Sequence, residues 1–267
     1  MIDIHSHLLP TIDDGSSSWD ESLAMARQAV ADGTTELAVT HHILSNQDFE
    51  QEPEILAKYA EMKQRLAEAK VPLVLHLASE LYYEQDLNLA PQIATYNHTG
   101  RYFLVEFPMQ GIPRGAVDQF FELALDGKTP IIAHPERNLG FLKNPSRAYD
   151  FVQRGALLQM NAGSLVGKYG EGVKNLAIAL LNAHLIHFVG SDGHNTTRRS
   201  MRMREVSRIV RDMWGDAMSR EIFQDNPRKM LAGEELKVPE PLTVEPVKKR
   251  GSLNPLVLLR RLVFPAH

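Results

Sequence analysis

The chain has 267 residues, 43% of them apolar, which is enough to bury one large core and does not require a second. Lys and Arg number 29 against 33 Asp and Glu, and the net charge of −4 excludes a general nucleic-acid footprint. Cysteine is absent, which excludes disulfides, thiolate metal ligands and cysteine nucleophiles; the start lacks the flanks of a signal peptide and no stretch approaches the roughly 20 apolar residues of a membrane span, so a cytoplasmic protein is expected.

Short apolar, β-rich runs alternate with longer helical patterns along the chain. The first strand is expected over Ile2 to His7 and ends in His5-x-His7, with Asp13, Asp14 and Gly15 close behind. Ser18-x-x-Glu21 is a capping pattern that opens a helix stopping at Gly33. A second strand, Glu36 to His41, runs into His42, and a helical period then fills "EPEILAKYAEMKQRLAEAK" up to Pro72. The third strand, Leu73 to Ser79, leads to Glu80, and the fourth, Tyr102 to Phe107, carries Glu106. After a helix over Gly115 to Leu125, the fifth strand, Pro130 to His134, ends in His134 within "AHPER". A helix over Pro145 to Arg154 leads to the sixth strand, Ala156 to Asn161. A further helix, Gly172 to Ala183, leads to the seventh, His187 to Ser191, which runs into Asp192-x-His194. A last helix is expected over Arg199 to Met213. Seven strands in this alternation predict a single-domain parallel α/β barrel over residues 1–238, followed by a tail, 239–267, that is first rich in proline and then basic and apolar.

The regularity lies at the strand ends. Six of the seven strands deliver an imidazole or a carboxylate at the same end, and in a parallel barrel those ends converge on one face. His5, His7, Asp14, His42, Glu80, Glu106, His134, Asp192 and His194 would therefore share one cleft. Taken singly, each has a plainer reading: Glu106 as an ion-pair partner, Asp192 as a cap, Asp13 and Asp14 as turn formers before Gly15. Jointly the plainer readings fail, because ionisable groups ending six apolar strands are costly to bury without partners. The H-x-H spacing puts both imidazoles on one face, and nitrogen and oxygen ligands without sulfur suit manganese, iron or zinc rather than calcium. Nine ligands imply two or three ions. The remaining histidines, His76, His98, His184, His187 and His267, are expected in structural or surface roles, and His41 stands next to the candidate His42.

"HSH", "DDG", "THH", "EFP", "AHPER" and "SDGHN", in this order and spacing over roughly residues 1–232, resemble the PHP (polymerase and histidinol phosphatase) superfamily. More closely, they resemble the manganese-dependent protein-tyrosine phosphatases of bacterial capsule and exopolysaccharide loci. The resemblance implies a distorted, TIM-like (β/α)7 barrel with a trinuclear site that hydrolyses phosphotyrosine on an autophosphorylated partner tyrosine kinase. It also implies that His5, His7, Glu80 and Asp192 hold one ion. Glu80, Glu106 and His134, with the first-strand ligands, would hold a second, and Asp14, His42 and His194 a third. Arg137 and Arg199 match the phosphate-binding arginines of that family, with Arg198 a competing candidate in "TTRRS".

Three divalent ions against four carboxylates leave a positive site that attracts a phosphate dianion, and arginine forks would grip its oxygens. With no cysteine in the chain, tyrosine phosphatase activity must be metal-based. The alternative within the same fold is a small-molecule phosphomonoesterase of the histidinol phosphatase type. In the tail, five Lys or Arg and no acid follow Pro246, beside an apolar run. Weak association with an anionic membrane surface is expected there, with docking on the barrel or on a second subunit in an oligomer as the competing expectation.

Overall fold

The computed structural model describes residues 1–244. Its centre is a seven-stranded parallel sheet in the order β1-β2-β3-β4-β5-β6-β7. The strands are β1 (Ile2–Asp3), β2 (Glu36–Ile43), β3 (Val74–Tyr82), β4 (Tyr102–Glu106), β5 (Thr129–Ala133), β6 (Leu157–Asn161) and β7 (Phe188–Gly190). The sheet curls until its edges meet at a single parallel bridge, Ser6 to Gly193, so it is a nearly closed barrel. All seven expected strands are present.

β1 is shorter than its sequence suggests. Its ladder with β2 ends at Asp3, because beyond that point the backbone is drawn to both edges at once. Ser6 N–H donates to Thr40 Oγ1 on β2, while His7 N–H donates to Gly193 O beyond β7. The barrel thus closes at the level where the ionisable residues begin.

The strands alternate as parallel, doubly covered strands must. Leu37, Val39, Phe103, Val105, Ile132 and Leu158 pack outward in the main core, where the helices lie. Ala38, Ala78, Leu104, Ile131 and Leu157 belong to a second cluster that fills the barrel. Continuing the inward parity upward gives Thr40 and His42 on β2, Glu80 on β3, Glu106 on β4, and Gln159 and Asn161 on β6. Apolar plug and polar site are consecutive layers of the same strand faces.

The outer helices include α1 (Trp19–Ala31), capped by Ser18 Oγ accepting from Glu21 N–H, and α2 (Glu52–Glu68), which runs to just before the Pro72 region. Next come α3 (Ala116–Leu125), the short α4 (Leu139–Lys143), α5 (Ser146–Gln153), the single turn α6 (Ala162–Leu165) and α7 (Glu171–Asn182). The helix expected from Arg199 starts only at Arg204, as α8 (Arg204–Trp214). Asp32 dictates that start: its Oδ2 accepts from Met203 N–H and Arg204 N–H at 2.6 and 2.7 Å, capping the helix from outside. Residues 199–203 are thereby left free of the helix.

Short helices α9 (Asp216–Arg220) and α10 (Asn226–Leu231), joined by a π-helical turn, close the far end of the barrel. There Met230 and Leu231 meet the inner cluster, and Leu236 and Val238 pack against it. Past Val238 the chain still touches the barrel: Leu242 N–H donates to Ala183 O and Val244 is buried. The basic and apolar run expected to bind membranes or a second subunit lies outside the described residues.

Gly190, at the end of β7, has no room for a side chain. A Cβ there would stand 2.7 Å from His5 Cβ and 2.9 Å from Gln159 Nε2. Gly190→Ala should therefore force β1 and β7 apart at their closure, costing about 1–3 kcal/mol of stability as other overpacked sites do. Thermal unfolding of the variant should show a lowered Tm.

Candidate metal centre

The described residues contain three groups of close-set potential ligands: His7, Asp14, His42 and His194; His5, His7 and Glu80; and His42, Glu80 and Glu106. Within each group the candidate ligand atoms all lie within 4.8 Å of one another. The groups share His7, His42 and Glu80, so they form one continuous cluster. His134 and Asp192 adjoin it: His134 Nε2 lies 3.1 Å from Glu80 Oε1 and 3.6 Å from Glu106 Oε1, while Asp192 Oδ1 lies 3.6 Å from both His5 Nε2 and His7 Nε2. All nine residues singled out in the sequence thus meet in one place.

Strand geometry accounts for most of this. Parallel register sets His42 directly beside Glu80, and Tyr82 beside Glu106. His134 and Asp192 follow the last residues of β5 and β7, and both adopt left-handed backbone, with φ of 30° and 52°. Such conformations are sparsely populated outside glycine and tend to occur at functional sites. Here they end the two strands and let the side chains turn back over the barrel mouth.

Neighbouring residues fix which nitrogen each imidazole presents. His7 Nδ1–H donates to Asp13 Oδ2 at 2.6 Å, His5 Nδ1–H to Gln159 Oε1 at 2.9 Å and His194 Nδ1–H to the Asp192 carbonyl at 2.9 Å. Each ring therefore turns its Nε2 into the pocket, the arrangement usual for metal-ligating histidines. His194 Nε2 is buried and makes no hydrogen bond, although it stands 3.2 Å from Asp14 Oδ1. His5 and His7 aim their Nε2 atoms at each other 3.3 Å apart. Nitrogens so placed beside buried carboxylates fit divalent cations that displace their protons.

Asp13 and Gln159 were not legible as site residues. Asp13 reads as a turn former, yet besides His7 it accepts from His42 N–H at 3.0 Å and so ties two ligand-bearing segments together. Gln159 had a signal: it is a polar residue at an inward position of "LLQMN", a strand buried throughout. Its neighbour Asn161 donates from Nδ2 to Asp192 Oδ2. β6, the one strand without an ionisable end, thus supplies amides that position His5 and Asp192, just past the ends of β1 and β7. Glu136 is fully buried, and its Oε1 accepts from Asn161 N–H and Ser164 Oγ, bracing the same strand end. His76 instead pairs with Glu36, and His187 Nδ1 accepts from Leu158 N–H, both structural roles.

Two arginines stand over the cluster. Arg137 Nη1 donates to Asp192 Oδ2 at 2.8 Å, and Arg199 Nη2 donates to Asp192 Oδ1 at 2.7 Å while its Nη1 reaches Asp14 Oδ2 at 3.2 Å. Arg198 points outward and is exposed. The Arg137 guanidinium lies 4.5 Å from the centre of the Tyr169 ring, and the Lys168 amine lies 5.6 Å from the same ring. Burial lowers the affinity of the Lys168 amine for its proton, while the nearby Asp192 charge opposes that.

Electrostatics divide the ligands. Burial would keep Glu80 and Asp192 protonated, but His5 and the other imidazoles around them, with Arg199 beside Asp192, hold both carboxyls well below the usual carboxylate range. Glu106 is pushed up to about 8 by burial and by the Glu80 charge. His7 resists its own burial through hydrogen bonds to Asp13 and Glu80 and rises to about 10, and His5 is raised chiefly by Glu80 against its burial. Burial and the His7 charge lower His194 to about 3.

Residues 1–232 match the family described as capsular polysaccharide synthesis, CpsB/CapC. The chain is 36% identical over 255 residues to tyrosine-protein phosphatase YwqE of Bacillus subtilis, covering 94% of this chain and 98% of that protein. It is 30% identical over 239 residues to tyrosine-protein phosphatase CpsB of Streptococcus pneumoniae, covering 86% and 98%. Among solved structures it superposes, with a TM-score of 0.83 and 32% identity, on one from work on YwqE and CpsB as unique metal-dependent tyrosine phosphatases; 92% of this chain and 100% of that one are covered. A dihydropyrimidinase from Brevibacillus agri shares the fold alone, with a TM-score of 0.54 at 12% identity, covering 91% of this chain and 72% of that one.

Two outcomes follow from the geometry. Near neutral pH the metal-free protein holds protons on His7 and Glu106, raised to about 10 and about 8, and ligation must displace them. Metal binding should therefore release protons and weaken as pH falls from about 8 toward 6, where Glu106 is fully protonated. Calorimetric titration in buffers of different ionisation enthalpy measures the release, and a value of zero would contradict the assignment. Separately, Asp13→Asn should lower metal affinity about 10- to 100-fold by loosening His7, with the fold intact by circular dichroism.

Proposed function

Because the chain belongs to the CpsB/CapC family of capsular polysaccharide synthesis, we propose that it removes phosphate from the phosphotyrosines of an autophosphorylated bacterial tyrosine kinase that regulates capsule or exopolysaccharide assembly. The chain is a metal-dependent tyrosine-protein phosphatase. The observation that carries the reading is the fusion of three ligand groups through His7, His42 and Glu80 beneath two arginines, in a chain without cysteine.

The ligands for two or three ions would be His5, His7, Asp14, His42, Glu80, Glu106, His134, Asp192 and His194, with manganese as the proposed metal and iron or zinc as the chemically allowed substitutes. Bound there, divalent ions would supply Lewis acidity toward phosphoryl oxygens and a water acidic enough to act as nucleophile near neutral pH. The protein's own groups do the rest. Arg137 uses one Nη1 donor on Asp192, and a guanidinium has five N–H groups, so donors remain for a phosphoryl group. The Tyr169 ring and Asp192 hold that fork in place before substrate arrives, so little of its freedom is lost on binding. Arg199 reaches the same carboxylate from the other side, and the two forks flank the pocket mouth. Together they bind the dianion, orient it and stabilise charge spreading over its oxygens in the transition state. A tyrosine phenolate, with a pKa of about 10, leaves without a strong dedicated acid.

The full-length protein loaded with manganese should hydrolyse p-nitrophenyl phosphate and phosphotyrosine peptides well and histidinol phosphate poorly, and exhaustive chelation should abolish turnover. Activity that survives chelation, or a preference for histidinol phosphate, would overturn the reading. His134→Ala and Asp192→Ala should lose both bound metal and turnover. Arg137→Ala and Arg199→Ala should retain metal by elemental analysis while kcat/KM falls on the order of 10- to 1000-fold.

A further inference from the structure

Beside the metal pocket lies a separate cavity of about 480 Å³ that the chemistry above does not use. Its walls come from α6 and the loop after it, from Ser191 just beyond β7, from the segment leading into α8 and from α8 itself. Three lining residues are chain neighbours of site residues. Ser191 precedes Asp192, Ser200 follows Arg199, and Lys168 precedes the Tyr169 that stacks on Arg137. Consecutive Cα atoms are about 3.8 Å apart, so the cavity and the phosphate-binding arginines share a wall.

The charge lining the cavity is unbalanced. Of its carboxylates, Asp32 is taken up by the N–H groups that start α8, and Asp212 lies 3.4 Å from Arg211. Arg204 is likewise occupied, donating to the carbonyls of Asp32 and Ala31. That leaves Lys168, Arg202 and Arg208 facing Glu205, and none of these three cations forms an ion pair among the described residues. Arg202 and Arg208 are exposed, so their heads are accessible to a ligand, and Val166 and Ile209 supply an apolar wall.

We propose that this cavity is a subsite for an acidic side chain close in sequence to the phosphotyrosine of a protein substrate, with Arg202, Arg208 and Lys168 gripping its carboxylate. The proposal rests on the phosphotyrosine reading above and adds which substrates the site prefers. An extended peptide advances about 3.3 Å per residue, so a residue within a few positions of the phosphotyrosine reaches a cavity that shares a wall with the arginines. A phosphotyrosine in the metal pocket would thus place its neighbours over a cationic recess, and each exposed pair adds a modest increment of affinity.

The test uses the manganese-loaded full-length enzyme and phosphotyrosine peptides in which a single glutamate is scanned through each flanking position of an otherwise neutral sequence. One glutamate position should raise kcat/KM by about threefold to tenfold over the neutral peptide, mainly through KM. In the double variant R202E/R208E that preference should vanish or invert, while R202K/R208K keeps most of it, and both should hydrolyse p-nitrophenyl phosphate like the parent. A flat scan, or a glutamate preference that persists in R202E/R208E, overturns the subsite while the phosphatase reading stands. Failure to hydrolyse any phosphotyrosine peptide while small aryl phosphates still turn over overturns both.

Discussion

Glu80 is 1% exposed, and its carboxylate is the charge around which the barrel is arranged. Its Oε2 lies 3.0 Å from His5 Nε2 and 3.3 Å from both His7 Nε2 and His42 Nδ1, and its Oε1 lies 3.1 Å from His134 Nε2. An isolated carboxylate so deep would cost far more than a folded chain has to spare, and would take up a proton instead. Glu80 remains ionised because the segment after β1 brings two imidazoles to it, and β2 and the turn after β5 bring one each. Without metal the protonated His7 beside it offsets the charge, and with metal the cations would do so. The same need for compensation explains why the barrel closes where it does: the Ser6–Gly193 bridge draws the first and last strands together at the level of His5, His7 and Asp192.

Below that level the barrel is apolar, and the boundary is sharp. Ala78 and Glu80 are successive inward residues of one strand, as are Leu104 and Glu106 of the next. The small Ala38 and Ala78 leave room for Leu104, Ile131 and Phe188 to fill the interior. That packing gives the ligands a floor that cannot collapse, so the strand ends hold their spacing before any ion is present. A polar layer on loops alone would have to be ordered by the metal.

Much of this was legible in the sequence because parallel strands buried on both faces read as short apolar runs, and an ionisable residue at the end of such a run is conspicuous. His5, His7, Glu80, His134 and Asp192 announce themselves that way. The start of α8 was not legible, since Asp32, distant in sequence, sets it. The end of β1 was hidden for a similar reason, as the pull between Thr40 and Gly193 exists only once both edges are assembled. Asp13 resembles any aspartate before a glycine until His7 stands 2.6 Å from it. The choice between Arg198 and Arg199 depends on a loop whose shape is held by Asn195 Oδ1, which accepts from the N–H groups of Thr197 and Arg199.

The two arginines show how the site manages charge before substrate arrives. Both donate to Asp192, one to each oxygen, so a single carboxylate holds two guanidinium groups at the pocket mouth. Without that anion, two cations beside a metal cluster would repel each other and the ions, and would swing out into solvent. With it, they wait as donors already aimed inward, each with further N–H groups unspent. A phosphate dianion entering this arrangement would meet donors already ordered, which would favour transition-state charge stabilisation over flexible capture. Asp192 therefore holds both arginines while standing 3.6 Å from His5 Nε2 and His7 Nε2, where it would also serve a metal, and the left-handed backbone that places it is the local strain through which both roles would meet at one residue.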